Sequence, residues 1–208
     1  MRFYDRSEAG QILADKLSRY KVKNLVVLAL PRGGVVLGAI IAKRLGAAFG
    51  IVIVQKLGHP FDPEYALGAV AEDDEPVVGD ETDKIDKIWY KKVVESARQE
   101  IKRRRKLYFG DIYTAPNVKG KSVILVDDGI ATGFTFVAAV QFIKNRDPKK
   151  IIMAAPVASE ESVNMLQELA DEIVLLDDPS DFLGSVGAHY DRFEQIDDQE
   201  VIDYLQSE

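Results

Sequence analysis

The feature that most constrains the fold of this chain is the stretch from Val123 to Phe136, which reads Val-Ile-Leu-Val-Asp-Asp-Gly-Ile-Ala-Thr-Gly-Phe-Thr-Phe. Apolar residues, several of them β-branched, lead into two carboxylates, a turn with two glycines and an apolar pattern with helical spacing. This order predicts a strand, a loop and a helix in direct succession. Because the carboxyl ends of parallel strands form the ligand crevice of an open sheet, Asp127 and Asp128 are predicted at its edge.

The loop after the acid pair has the character of an anion site. At the start of the next helix, unpaired backbone donors and the helix dipole favour an anion, usually phosphate. The amides concerned belong to Thr132, Gly133, Phe134 and Thr135. Acceptors for hydroxyl groups therefore lie beside donors for a phosphate, a combination that fits a sugar phosphate.

Other interpretations fit the acid pair when it is taken alone. Two acids after a strand can simply cap a helix or bind solvent. Receiver domains and aspartyl phosphatases also place acids at a strand end, but they need further acids or a lysine at set places, and a Gly-Thr-rich turn is not part of their chemistry. The chain contains no Gly-x-x-x-x-Gly-Lys-Ser/Thr pattern, which excludes the ordinary nucleoside-triphosphate loop.

The stretch Val123 to Thr135 resembles the PRPP (5-phosphoribosyl 1-pyrophosphate) motif of the type I phosphoribosyltransferases. In that family a strand of apolar residues leads to two acids and a small-residue loop that ends Thr-Gly-x-Thr. The resemblance implies that Asp127 and Asp128 bind the ribose 2′ and 3′ hydroxyls and that Ala131 to Thr135 hold the 5′-phosphate. It also implies Mg²⁺ as the cofactor, bound through PRPP, with the two aspartates as candidate ligands.

A second strand-loop-helix unit comes earlier in the chain. Leu25 to Leu30 is an apolar run that predicts a central parallel strand, and Val35 to Leu45 is predicted to be a helix. Between them lies Pro31-Arg32-Gly33-Gly34, which by itself also fits an ordinary connection between a strand and a helix.

In a chain that also carries the PRPP motif, however, this loop resembles the pyrophosphate loop of the same family. Its residues are similar to those of the bacterial xanthine-guanine enzymes. The resemblance implies that Arg32, Gly33 and Gly34 bind pyrophosphate, with Arg32 also stabilising charge during catalysis. It further implies a non-proline cis peptide in the loop, which we expect between Arg32 and Gly33.

The next segment predicts a strand followed by a long loop. Ile51 to Gln55 is predicted to be a buried parallel strand with Lys56 at its carboxyl end. A lysine there is often only solvated, but the resemblance implies that Lys56 contacts pyrophosphate and takes part in catalysis. Gly58 to Thr82 corresponds to the family's flexible loop, which closes over PRPP and excludes water. Leu67 to Val70 and Val77-Val78 are predicted to form a short hairpin within it.

A long helix is predicted from Ile85 to Tyr108, and it carries a basic run from Lys102 to Lys106. This run fits a nucleic-acid patch, a solvated helix face, or a helix with one or two cations facing the active site. A net charge of −7 argues against nucleic acid as a partner, because that function needs a basic surface to release counterions. A solvated face is the favoured interpretation.

The whole pattern predicts an α/β fold. A helix that begins at Asp5 or Ser7 is interpreted as a packing element without chemistry, and further strands are predicted at Ile151 to Ala155 and Ile173 to Leu176. We expect an open, Rossmann-like parallel sheet of about five strands flanked by helices, in one domain of residues 1–208.

The tail, residues 179–208, differs in composition and pattern from the preceding segments. Its first part is rich in glycine and aromatic residues without a regular period. The resemblance implies that it forms the hood, a small subdomain that selects the nucleobase, with Phe182 and Val186 as candidate base-binding residues. Equally, these residues could simply pack the tail onto the core.

The resemblance implies transfer of the 5-phosphoribosyl group from PRPP to a nitrogenous, purine-like base, with release of pyrophosphate. One position departs from the family's 6-oxopurine enzymes, which carry an aspartate for the proton on purine N7 where this chain has Ala131. Because alanine cannot exchange a proton, the acceptor stays open between adenine and an unusual base. A PRPP-sensing regulatory or binding protein without transferase activity is the alternative.

The remaining expectations concern partners and location. The chain has no cysteine, charged residues follow Met1, and no apolar run approaches the ~20 residues that span a bilayer. We expect a cytoplasmic protein, a homodimer, whose partners are PRPP and a small acceptor and neither nucleic acid nor membrane. His59 and His189 do not have the spacing of metal ligands.

Overall fold

The computed structural model describes residues 1–59, 62–79, 85–111 and 116–207, with the backbone alone for 62–65. The helices are α1 (Arg6–Leu17), α2 (Gly34–Leu45), α3 (Lys87–Phe109), α4 (Phe134–Lys144), α5 (Glu160–Leu166) and α6 (Asp198–Gln206). The strands are β1 (Leu25–Ala29), β2 (Ala48–Ile51), β3 (Val54–His59), β4 (Asp62–Ala71), β5 (Val77–Val78), β6 (Ser122–Val126), β7 (Lys150–Ala155) and β8 (Glu172–Leu175).

The central sheet has five parallel strands in the order β2-β1-β6-β7-β8, which confirms the predicted fold class. From β1 the chain proceeds to one edge of the sheet, and from β6 it proceeds to the other. The strand order therefore reverses between β1 and β6, and such a switch point is where open α/β sheets bind ligands. Ala29 pairs with Val126, so these two strands end side by side and their loops open at the same place.

The core lies on both faces of this sheet. Residues of β1 and β6 are buried on both sides, which is why these strands are continuous apolar runs instead of alternating ones. One apolar cluster joins one face of the sheet to α1 and α2, and a second joins the opposite face to α4. Within the described ranges, none of the helices combines the length and the apolar character needed to cross a bilayer.

The predicted strand from Ile51 to Gln55 is wrong, because the structure divides this stretch between two sheets. Strand β2 ends at Ile51, and β3 begins at Val54 and pairs antiparallel with β4 in a separate sheet of order β3-β4-β5. Contacts between Ile53 and Glu72 accompany the separation: Glu72 N donates to Ile53 O at 3.0 Å, while the Glu72 carboxylate accepts from Ile53 N at 2.9 Å. Lys56 consequently lies within β3 and not at the end of a parallel strand.

The predicted hairpin is confirmed, because β4 pairs antiparallel with β5 through Gly68 and Val78 and through Ala69 and Val77. The structure adds β3 as a third strand. Residues 60, 61 and 80–82 of the predicted flexible loop lie outside the described residues. Closure of this segment over a substrate stays a prediction.

The long helix is confirmed as α3, which begins after Asp86, whose carboxylate accepts hydrogen bonds from the amides of Ile88 and Trp89 at 3.1 and 2.8 Å. The tail consists of two short 3₁₀ turns, at Pro179–Asp181 and Val186–His189, followed by α6. Helix α6 packs against α2 and α3.

Candidate active site

A cavity of about 390 Å³ lies at the switch point, where the loops after β1 and β6 open. Most of the residues singled out in the sequence line it: Arg32, Gly33, Lys56, Asp127, Asp128, Ala131, Thr132, Gly133, Thr135 and Val186. The remaining lining residues are Leu30, Pro31, Val54, Gln55, Arg104 and Gly129. Two loops that are far apart in the chain therefore share one site because their strands are neighbours.

Two of the predicted PRPP-binding residues, Gly34 and Phe134, do not line the cavity. A Cβ at Gly34 would lie 2.8 Å from the carbonyl oxygen of Val126 and 2.9 Å from the Cα of Asp127, so glycine lets α2 begin directly against the end of β6. The ring of Phe134 faces the β4–β5 hairpin, since a Cβ at Gly79 would lie 3.0 Å from it.

The predicted base-binding residues lie apart. Val186 lines the cavity and packs against Gly129, where a Cβ would come within 2.4 Å of the Val186 side chain. Phe182 is not in the lining, and its ring stacks on His189 with 5.4 Å between the centroids. His189 in turn accepts a hydrogen bond from Leu183 N at 3.0 Å, so it holds the tail together.

The loop after β1 places the cis peptide one residue earlier than predicted, between Pro31 and Arg32. The Arg32–Gly33 peptide is already part of the helix entry, because Arg32 O accepts from Val35 N at 3.2 Å and Gly33 O accepts from Val36 N at 3.4 Å. The expected position at Arg32–Gly33 is therefore wrong.

The acid pair is asymmetric because Asp128 has a cation partner. Arg6, at the start of α1, donates from Nε to Asp128 Oδ2 at 2.7 Å and from Nη1 to the carbonyl oxygen of Glu194 at 2.6 Å. Its guanidinium lies 3.8 Å from the centroid of the Phe193 ring. With 9% of its surface exposed, Arg6 is nearly buried, and its ion pair ties the first helix, interpreted from the sequence as a packing element, to the acid pair.

Burial sets the protonation behaviour of the pair. It raises the pKa of Asp127 well above its usual range, and the neighbouring charge of Asp128 raises it further. Burial also raises the pKa of Asp128, but the charge and hydrogen bond of Arg6 act in the opposite direction. Arg6 thus stabilises the ionised form of Asp128, although burial still leaves the pKa of Asp128 above its usual range. Asp127 Oδ1 accepts the amide of Asp128 at 2.8 Å.

Tyr190 fixes the backbone of the acid pair from the tail. Its hydroxyl donates to the carbonyl oxygen of Asp128 at 2.6 Å, and its ring is buried against Phe3. Burial and the charge of Asp128 raise the pKa of Tyr190, which keeps the hydroxyl a neutral donor. No local pattern marked this residue, since its partner is more than sixty positions away.

The loop after the acid pair has the geometry of an anion site. Gly133 has φ +77°, a left-handed conformation that favours glycine, and it precedes the first residue of α4. Ser159 donates from Oγ to the carbonyl oxygen of Ala131 at 2.6 Å, which gives that carbonyl a partner within the protein. In the described part of the chain, the amides of 132–136 donate to no backbone acceptor. They can therefore donate to phosphate oxygens.

The basic run on α3 matches two of its three interpretations. Lys102 and Lys106 are exposed to solvent, as a solvated helix face requires. Arg104, in contrast, lines the cavity, which is the interpretation in which one or two cations of the run face the site.

The family model described as "Phosphoribosyl transferase domain" matches residues 6–192. The chain belongs to the phosphoribosyl transferase domain family. Candidate phosphoribosyl transferases from two strains of Mycobacterium tuberculosis are 37% identical to it over 206 residues, or 98% of this chain. The chain spans 46% of the length of these curated relatives.

Solved structures share the fold of this chain. The protein TT1426 from Thermus thermophilus is 38% identical, with a TM-score of 0.82 over 100% of this chain and 99% of its own. AQ2163 from Aquifex aeolicus, at 14% identity, has a TM-score of 0.54 over 82% of this chain and 73% of its own, and shares the fold alone. The cavity at the switch point is thus the candidate active site of a phosphoribosyl transferase domain.

Proposed function

We propose that this phosphoribosyl transferase domain transfers the 5-phosphoribosyl group from PRPP to a nitrogenous, purine-like base and releases pyrophosphate. The observation that supports it is the convergence of a cationic glycine loop, an acid pair and a phosphate-type amide loop on one cavity. These groups match the pyrophosphate, ribose hydroxyls and 5′-phosphate of PRPP, which lie in that order along the molecule.

In the proposed reaction, the bond from ribose C1 to pyrophosphate breaks and a bond from C1 to the acceptor nitrogen forms, through a sugar with oxocarbenium character. Asp127 and Asp128 accept hydrogen bonds from the ribose hydroxyls and fix the ring. Arg32 and Lys56 neutralise the charge that accumulates on the leaving pyrophosphate. Neither cation has a hydrogen bond or ion pair to another described residue, so both are available to a ligand.

We also propose that Mg²⁺ binds together with PRPP. Within the described ranges, no group of three or more His, Cys, Asp or Glu side chains is placed to hold a metal, while Asp127 and Asp128 offer carboxylate oxygens in the cavity. This donor set fits Mg²⁺, which often binds one or two carboxylates together with substrate oxygens. When bound, the ion would supply positive charge to the pyrophosphate.

A PRPP-binding protein without transfer is the second candidate, and one observation favours it. Ala131 stands where an acid handles the purine proton in 6-oxopurine enzymes, and among the described residues the acids of the cavity lining are Asp127 and Asp128 alone. Both are engaged with ribose in the proposal, which leaves the proton of a bound base without an evident acceptor.

Pyrophosphate release separates the two candidates. The protein is incubated with PRPP and Mg²⁺ and with purines, pyrimidines and small amines in turn, and we expect release with at least one of them. Binding of PRPP without release for any acceptor would contradict transfer and leave the binding protein.

The ribose assignment has its own test. The double variant Asp127→Asn with Asp128→Asn is expected to lose at least about tenfold in PRPP affinity, because charge-assisted hydrogen bonds to the hydroxyls become neutral ones. Unchanged affinity, measured by calorimetry, would contradict the assignment.

We also propose that the protein forms a homodimer. Sedimentation velocity of the purified chain at micromolar concentration tests it, and a single species of monomer mass would contradict it. The same preparation then serves the binding experiments.

A further inference from the structure

We propose that Arg104 of helix α3 is a further pyrophosphate-binding residue, which joins Arg32 and Lys56 from an element outside both ligand loops. The inference rests on the proposed function, because it deepens the pyrophosphate end of that site. Arg104 lines the same cavity as Arg32 and Lys56, although it comes from a helix that lies between the two motifs in the chain.

The direction of Arg104 follows from helix geometry. Successive residues of an α-helix are about 100° apart around the axis. Three consecutive arginines on α3 therefore point in three directions. Arg103 pairs with Asp198 of α6 at 3.0 Å, and Arg105 pairs with Glu72 after β4 at 2.6 Å. Arg104 lies between these two on the helix and reaches the cavity.

The outer two arginines anchor the helix that presents Arg104. Glu72 is only 2% exposed, so its ion pair with Arg105 ties α3 firmly to the small sheet. On the other side, Asp198 accepts from Arg103 at 3.0 Å and from the Tyr108 hydroxyl at 2.6 Å. Helix α3 is therefore held from both flanks, and the position of Arg104 is set before a ligand arrives.

The hydrogen bonds of Arg104 leave its ligand-binding end available. Its Nε donates to Glu100 at 2.8 Å, one helical turn earlier. Within the described ranges, Nη1 and Nη2 make no hydrogen bond. Its side chain is 18% exposed, so most of it is shielded from bulk solvent. The outer edge of a guanidinium matches two phosphate oxygens at once, which is the geometry that a pyrophosphate offers.

The charges around the cavity also favour this role. Besides the two aspartates, its charged lining residues are Arg32, Lys56 and Arg104. A domain with a net charge of −7 has to attract a polyanion with local cations, because its long-range field is unfavourable.

The competing explanation is that Arg104 only forms a helix ion pair with Glu100. A partly exposed pair of this kind, four residues apart on a helix, contributes little to stability. That explanation predicts that loss of Arg104 changes ligand binding no more than loss of Lys102, an exposed cation of the same helix that lies outside the cavity lining. Lys102 is therefore the matched control.

The test measures binding of three ligands by calorimetry: PRPP with Mg²⁺, pyrophosphate with Mg²⁺, and ribose 5-phosphate. For Arg104→Gln we expect at least about tenfold weaker binding of PRPP and pyrophosphate. Ribose 5-phosphate, which lacks the pyrophosphate, should bind within about twofold of the wild type. Lys102→Gln should bind all three ligands as the wild type does, and Arg104→Lys should recover part of the loss.

Each other outcome overturns the inference in a recognisable way. If the wild type binds PRPP and Arg104→Gln binds it equally well, Arg104 has no role in binding, while the proposed function stands. A loss that is equal for ribose 5-phosphate would show a general disturbance of the site. If the wild type binds neither PRPP nor pyrophosphate, the proposed function falls, and this inference falls with it.

Discussion

At the scale of single residues, the site depends on how two adjacent carboxylates are kept different. Asp128 is held by Arg6 and by Tyr190, whereas Asp127 is buried beside a like charge without an ion pair of its own among the described residues. The ionised form of Asp127 therefore lowers the stability of the folded protein at neutral pH. Such a cost is typical of a position that serves a ligand instead of the fold.

Replacing Asp127 should accordingly stabilise the protein. The pKa of Asp127 is raised in the folded state, so the folded protein binds more protons than the unfolded chain, and the free energy of unfolding falls as pH rises through this range. Asp127→Asn removes this penalty and keeps an oxygen that accepts the Asp128 amide. We expect a higher melting temperature than the wild type at pH 8 and a gain that disappears at pH 4, as measured by calorimetric unfolding.

Asp128→Asn is the matched comparison, and we expect it to have a lower melting temperature than the wild type. It leaves the nearly buried Arg6 without its anion, which costs about 3 kcal/mol of unfolding free energy at neutral pH. Equal melting temperatures for the two variants would contradict the asymmetry of the acid pair.

Gly33 is a second residue with a steric role. A Cβ there would lie 1.9 Å from Asp128 Oδ2 and 3.0 Å from Arg6 Nε. Gly33→Ala should therefore displace the Asp128 carboxylate and weaken PRPP binding at least about tenfold, as a change in preorganised geometry does. Gly50→Ala, where the nearest atom would be 3.3 Å away in a leucine side chain, is the control and should bind PRPP normally.

At the scale of elements, the small sheet and α3 form one inserted unit between β2 and β6. A buried carboxylate joins them, because Glu72 accepts from Ile53 N with one oxygen and from Arg105 with the other. This contact occurs where the chain leaves the parallel sheet. It therefore ties helix α3, which carries Arg104, to Ile53, which directly precedes the strand of Lys56.

Arg105→Leu tests this connection. It leaves the charge of Glu72, 2% exposed, without the Arg105 partner, and we expect a loss of about 3 kcal/mol in the free energy of unfolding by urea. The control is Arg44→Leu, which removes a solvent-exposed pair with Asp15 and should cost less than about 1 kcal/mol. Similar losses for the two variants would contradict a structural role for the buried pair.

At the scale of the whole molecule, both ends of the described chain converge on the acid pair. Arg6 belongs to the first helix, while Tyr190 and the carbonyl of Glu194 belong to the tail. A backbone bridge between Phe3 and Tyr190 joins the two ends beside the site. The tail is thus connected to the acid pair, and Val186 of the tail lines the cavity.

Tyr190→Phe tests this convergence. It keeps the buried ring but removes the hydrogen bond to the Asp128 carbonyl, which should cost about 1 kcal/mol of stability and weaken PRPP binding. Tyr20→Phe removes a hydroxyl that donates to Glu172 far from the cavity, so it should leave PRPP affinity unchanged. An equal effect of both variants on PRPP affinity would contradict a link between the tail and the acid pair.

Local patterns in the sequence determined the parts of this protein in which neighbours along the chain also cooperate in space. The apolar runs of β1 and β6, the glycine loops that follow them and the helix of the basic run were predictable, because each is a strand, turn or helix with its own period. The placement of Asp127 and Asp128 in a ligand crevice followed from the same order of elements.

The tertiary structure alone decided which distant residues complete the site. Arg6 and Asp128 are 122 positions apart, and such a pair leaves no periodic signal in either segment. The break between β2 and β3 was hidden for a related reason, since Ile51 to Val54 are all buried and apolar on either side of it. The direction of Arg104 likewise depends on partners in α6 and the small sheet, which only the folded chain brings together.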